Sequence, residues 1–254
     1  SYASFDGDGT PKRLDIRNLI VEFNIYEDLN SPFLSGDMTL IDGTNAIQEL
    51  PITGFERLEF FFRSPMTEKG FDFSIKSGHP MFVYALENRQ SGNPRSQAYT
   101  LKFISLEAIR DNQDRISQAF TGPTDQMILD ICYNYLKTKK DVLVEETKGV
   151  YKIVMPRVRP SSAIKMIRKN SRALNYENSG FLFYENANGF QFKSYEGLFC
   201  KKDGSPRPIK AFYSPKVKNI GEDDIYDLQS VEDYKILTQF NTLLNTNNGV
   251  YSSR

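Results

Sequence analysis

One run near the start of the chain has the residue types of a phosphoryl-transfer site. Phe5-Asp6-Gly7-Asp8-Gly9-Thr10 contains the Asp-x-Asp-Gly-Thr pattern. In that chemistry one Asp attacks phosphorus, a Mg²⁺ offsets charge and the second Asp serves as acid and base. Such a loop must follow a buried apolar strand and lead into a parallel sheet. Here only Ser1 to Ser4 stand before it, Pro11 follows, and the downstream pattern is antiparallel. A Ca²⁺ loop needs Glu at the twelfth place, and counting from Asp6 that residue is Arg17. The motif therefore reads as coincidence in a flexible arm.

The other candidates fare no better. His79 is the only histidine and stands in Gly78-His79-Pro80, a turn. Ser–His, Cys–His and zinc sites all need a histidine inside a constellation. Cys132 and Cys200 are too few for a disulfide scaffold and read as reduced, core-type residues, in keeping with a reducing cytoplasm. Glu145-Glu146 are adjacent, so on a strand they face opposite sides. Glu222-Asp223-Asp224 read as a solvated acidic loop. No Walker or dinucleotide glycine motif appears. Arg89, Arg95 and Lys102 near Tyr99 and Phe103 could grip single-stranded nucleic acid on a small barrel, but cations on the outer face of a strand are ordinarily just solvated. No catalytic, metal-binding or cofactor-binding residue is assigned, and no cofactor is expected.

The elements that would position such residues read mainly as β. Residues 1–18 are taken as a flexible arm. In Leu19 to Tyr26, Val21, Phe23 and Ile25 alternate with polar residues, the mark of a half-buried strand. Met38 and Leu40 repeat the pattern before the turn Asp42-Gly43-Thr44-Asn45. Further strands are expected at Leu58–Arg63, at Phe71, Phe73 and Ile75, at Met81–Glu87, and at Tyr99, Leu101 and Phe103, with a polar loop over Arg89–Arg95. Short strands with regular turns predict a small antiparallel barrel over residues 19–104.

An α/β insert over 105–204 follows. Thr124 is placed to cap a helix carrying Ile128, Ile131, Cys132 and Tyr135. Val142–Glu145 and Tyr151–Met155 read as strands. Pro160-Ser161-Ser162 opens a second helix whose buried face is Ala163, Ile164, Ile167 and Leu174. Phe181–Glu185 and Phe190–Ser194 form an aromatic hairpin about Asn186-Ala187-Asn188-Gly189. Residues 205–254 read as a linker and the first strand, Tyr234–Leu244, of a second barrel cut short.

Composition narrows the function classes. Of 254 residues 39% are hydrophobic and 25% charged, ordinary for a soluble protein with a core and enough for about two domains. Phe (19) and Tyr (14) favour sheet. Lys+Arg and Asp+Glu are both 32, so the basic surplus of a phosphate-gripping protein is missing. Ser1 to Pro11 lacks the basic and apolar regions of a secretory signal, and no apolar run nears the ~18 residues that cross a bilayer.

Order and extent of short patterns carry a family resemblance. Val21-Glu22-Phe23-Asn24-Ile25-Tyr26-Glu27-Asp28 is followed by Ser31-Pro32 and Leu34-Ser35-Gly36, then by Leu50-Pro51-Ile52 with Gly54, Glu56 and Arg57. Ala98-Tyr99-Thr100-Leu101 leads to Ser105-Leu106-Glu107-Ala108-Ile109-Arg110, then Arg115-Ile116-Ser117 with Ala119-Phe120 and Gly122, and last Gly180-Phe181-Leu182-Phe183-Tyr184-Glu185-Asn186 with Gly189-Phe190. From Leu19 to Phe199 the chain resembles the baseplate central hub proteins of T-even-like and cyanophage-type contractile-tail phages. The resemblance implies two tube-type barrels with an α/β domain between them, and three copies in a ring that joins the tail tube to the central spike and passes DNA at ejection. Implied partners are other copies of the chain (a homotrimer), the tail tube protein, the spike or tail lysozyme, baseplate wedge proteins, DNA as transient cargo, and the host envelope through the spike. The implied location is the virion tail after assembly in the host cytoplasm. A phosphatase or cell-wall hydrolase of the tail tip, and a spike-base protein of a bacterial contractile injection system, are the alternatives.

Overall fold

The alternation of apolar residues becomes a curled, half-barrel antiparallel sheet, and the chain is mainly β with few helices. The computed structural model describes residues 2–5, 11–43, 56–63, 70–93, 96–176, 180–200, 205–207, 212–213 and 229–230. The expected strand Tyr234–Leu244 and the turn residues Thr44 and Asn45 lie outside them.

The first sheet comprises β1 (Tyr2–Phe5), β2 (Pro11–Leu14), β3 (Ile20–Tyr26), β4 (Ser35–Asp42), β5 (Arg57–Leu58), β8 (Met81–Asn93) and β9 (Ser96–Ser105), in the order β2-β1-β5-β8-β9-β4-β3. Every neighbouring pair is antiparallel. β6 (Phe60–Phe62) and β7 (Phe71–Phe73) form a separate two-stranded ladder. One face carries the core. Met38 pairs with Leu101 and Leu40 with Tyr99, all at most 3% exposed. Gly36 pairs with Phe103, whose ring lies where a Cβ on Gly36 would sit, 2.4 Å away. A Cβ there would also collide with the Asn24 carbonyl oxygen, so only glycine fits.

Several expectations are corrected. Within the stretch read as an arm, β1 and β2 pair and extend the sheet, and Ile16 joins its core. Val21 does not share a face with Phe23 and Ile25. The ladder shifts register between Ile20 and Glu22, and Val21 is 63% exposed; a bulge leaves the extra residue unpaired and re-aims it. The expected strand Leu58–Arg63 breaks at Glu59 between β5 and β6. Ile75 lies beyond β7, in the following turn. The polar loop expected from Arg89 is strand instead, since β8 runs on to Asn93. The β8–β9 ladder shifts register between Val83 and Ala85, Glu87 and Gln90, and Ser91 and Asn93, and Asn88, within the second shift, takes a φ of 54°.

The second region starts with α1 (Leu106–Gln113), which the sequence reading leaves unassigned. β10 (Ala119–Gly122) pairs with β12 (Tyr151–Val154). α2 (Thr124–Asp130) widens into a π turn at Ile131–Tyr135, where the Leu136 N–H donates to the Ile131 carbonyl at 3.0 Å. β11 (Val142–Val144), β14 (Gly189–Ser194) and β13 (Phe181–Asn186) form a sheet in that order, with β11 parallel to β14. α3 (Pro160–Asn170) packs behind β13, and α4 (Tyr195–Phe199) follows β14. β15 (Phe212–Tyr213) and β16 (Gln229–Ser230) pair in parallel. A second apolar cluster, with Ile128, Ile131, Ile164, Ile167, Phe190 and Phe192 at its centre, fills this region and takes in Phe33 from the first.

Here too the structure departs from the reading. Thr124 is not the cap of α2. Pro123 holds the extended cap position, and the Thr124 hydroxyl is buried without a hydrogen-bond partner. Leu174 lies beyond the end of α3 and is 51% exposed. In the aromatic hairpin the positive φ falls on Gly189 alone, at 111°. The turn centre is Ala187-Asn188, with the Asn188 N–H donating to the Asn186 side chain at 3.0 Å.

Candidate functional site

The residues weighed for catalysis do not converge. Asp6, Asp8, Arg95 and Glu222-Asp223-Asp224 lie outside the described residues. His79 sits half-buried after a turn, its ring edge-on to Phe73 at 6.5 Å. Burial, then the charge of Lys140, holds its pKa below the usual histidine value. Cys132 is buried and Cys200 half-buried; both are free thiols, and burial pushes the Cys132 thiol far up. The Glu145 carboxylate accepts the Ser194 N–H and hydroxyl, each at 2.8 Å, while Glu146 faces solvent. Among the described residues no group of three or more His, Cys, Asp or Glu could hold a metal.

The nucleic-acid reading fails on geometry. Lys102 lies on the outer face of β9, paired with Glu87 at 2.7 Å. Tyr99 and Phe103 point the other way, 3% and 0% exposed. Alternation along the strand separates the cation from the rings that would stack on bases. Arg89 donates to Gln97 at 3.0 Å.

The sequence reading missed a buried ion cluster where the two regions meet. Lys140 Nζ donates to Glu107 at 2.6 Å and to Glu185, and all three side chains are at most 3% exposed. The Thr138 hydroxyl donates to Glu107 at 2.7 Å. Glu185 also accepts the Leu34 N–H from the first region at 2.9 Å. A second tie runs beside it, from the Ala187 N–H to Glu27 at 2.9 Å. Burial favours the neutral amine at Lys140, but Glu185 and Glu107 outweigh it and raise its pKa. At Glu185 burial wins over Lys140, and its pKa is also raised. One signal was available: Glu185 follows Phe181 and Phe183 at period two, so it shares their inward face and needs a partner there.

What the described surface offers is contact area. β3 ends the sheet, and no strand pairs with its outer side among the described residues. It carries exposed Val21 and Tyr26. Beside it lies an aromatic hairpin, with Phe60 across from Phe73 at 4.7 Å and Phe62 from Phe71 at 5.0 Å between ring centroids. Phe23 of β3 meets Phe60 edge-on at 4.9 Å. Phe61 is 65% exposed. A hollow of about 380 Å³ opens between Ile25, Glu27, Phe62, Phe71 and Ala187. An edge strand and clustered ring faces thus lie close together on the described surface.

No family model matches the chain, and neither does any curated protein. Solved structures are similar at low identity. A tail protein from Neisseria meningitidis MC58 is 13% identical over 86% of this chain and 56% of that one, with a TM-score of 0.48. The E. coli c3393 protein, a component of the type VI secretion system described as structurally similar to T4 bacteriophage tail proteins, is 10% identical over 75% of this chain and 51% of that one, TM-score 0.45. A prophage tail protein from Listeria monocytogenes EGD-e is 9% identical over 86% and 55%, TM-score 0.39. The chain spans about half the length of these solved structures.

Proposed function

We propose that this chain is a structural subunit of a phage tail baseplate, a hub whose copies stand side by side in a ring between tail tube and central spike. It has no catalysis of its own in this reading. The observation that carries it is the curled antiparallel sheet ending in β3, with no pairing on its outer side among the described residues. A subunit built to continue a sheet into its neighbour needs such an edge. The sequence resemblance to hub proteins supplies the place of the ring and its threefold order. The near-neutral chain suits a conduit through which DNA slides, because a strongly basic lumen would hold DNA by counterion release.

Antibody labelling of tailed particles that contain the chain tests this reading. Gold at the tip of the tail, where the tube ends, is the expected result. Label on the capsid or along the whole tube contradicts it.

A further inference from the structure

The chain is neutral overall, but its charge is segregated. Residues 148–172 contain eight Lys or Arg and no Asp or Glu. Every one of these cations is exposed or half-exposed. None makes an ion pair among the described residues, whereas Arg17, Arg57, Lys102 and Lys140 all do. Lys165, Arg168 and Lys169 recur at helical spacing on α3, which is roughly 16 Å long for its eleven residues. Arg172 extends the stripe past the helix end. There the Lys148 N–H donates to the Arg172 carbonyl at 2.9 Å, which brings another cation to the same corner.

Helix electrostatics accounts for only part of this. Arg168 and Lys169 in the last turn suit the negative helix end. Arg159 is the N-cap residue and Arg157 lies just before it, at the positive end, where cations are disfavoured. Among the described residues the one carboxylate bonded at that end is Asp111 of α1, which accepts the Ser161 N–H at 2.6 Å and its hydroxyl at 2.8 Å. Like charges three and four residues apart also repel along the helix.

A groove of about 280 Å³ runs beside the stripe. Lys165 and Arg168 form its basic rim, Ser162 and Asn30 add polar groups, and Pro32 and Phe183 supply an apolar wall. We infer that this face docks an acidic protein segment that carries an apolar anchor side chain, its carboxylates on the stripe and its anchor in the groove. A carboxylate-rich peptide matches both the charge and the apolar wall. A nucleic acid would match the charge alone, because none of the residues lining the groove offers an exposed ring for base stacking: Phe183 is 3% exposed.

Residues 221–233 of this chain have the required composition, six Asp or Glu with Ile225, Tyr226, Leu228 and Val231 and no cation. A fluorescent peptide copying them is therefore the probe, followed by anisotropy against the purified full chain whose own copy carries Gln and Asn in place of those six acids, so that the tethered segment does not compete. Saturable binding that weakens as salt rises is expected. Binding should be at least ten-fold weaker for a peptide with Gln and Asn in place of its acids, and at least ten-fold weaker for the Lys165→Glu, Arg168→Glu double variant. A Lys165→Gln, Arg168→Gln pair of unchanged melting temperature serves if the Glu variant does not fold, while Lys102→Glu on the first sheet should bind as the native chain does. No binding of the acidic peptide overturns the inference. So does equal affinity for its amide counterpart, or tighter binding of a single- or double-stranded DNA oligonucleotide.

Discussion

At the scale of single residues, the buried cluster sets the largest energies. Among the described residues Lys140 is the one cation that bridges two buried carboxylates. Lys140→Met strands both acids and should cost about 3–5 kcal/mol of stability, read from denaturant unfolding. Replacing all three by apolar residues of similar volume should recover most of that loss. Left without acceptors are the Leu34 N–H and the Thr138 hydroxyl, at about 1 kcal/mol each. Tyr99 gives a prediction in pH. Burial, then the charge of Asp42, lifts its phenol to about 12, against about 10 in an unfolded chain. Its folded pKa is raised, so its contribution is fully present below pH ~10 and is lost as pH rises through 12. Tyr99→Phe should therefore lose less stability than the native protein between those values, as unfolding curves at each pH will show. Lys140 does not stand out in the sequence, because its partners are distant in it: Glu185 meets Lys140 across 45 residues and the Leu34 N–H across 151.

At the scale of elements, local pattern and local structure agree best where the contacts are local. The hairpin of β13 and β14 is legible because Phe181, Phe183, Phe190 and Phe192 alternate around a short polar turn. Gly189 is needed there twice over. Its φ is 111°, and a Cβ would lie 2.3 Å from the Asp141 carbonyl oxygen, against which the lead-in to β11 is laid. Gly189→Ala should cost about 1–3 kcal/mol, measured as a shift in the unfolding midpoint. Other elements were not legible, for physical reasons. α1 is short, and its buried positions include Glu107 and Asp111, so its inward face does not read as apolar. The far half of β8 is polar on both faces and is strand only because β9 pairs with it. At Val21 a bulge breaks an alternation that looks unbroken in the sequence. For the candidate assembly face, the aromatic content of β6 and β7 was legible, but their packing on β3, with Phe23 against Phe60 and Phe62, joins residues far apart in the sequence.

At the scale of the whole molecule, a curled sheet is joined to an α/β region through the Glu107–Lys140–Glu185 cluster and the Glu27–Ala187 contact. That junction fixes the second region relative to β3 of the first, which the proposed ring would require. Charged substitutions on an edge strand oppose pairing with another chain while leaving the core intact. The most direct test is the mass of the native chain in solution by light scattering, beside a Val21→Lys, Tyr26→Lys variant. The account predicts a native species of three times 29.2 kDa that falls to 29.2 kDa in the variant. A native chain that stays at 29.2 kDa at every concentration would contradict it.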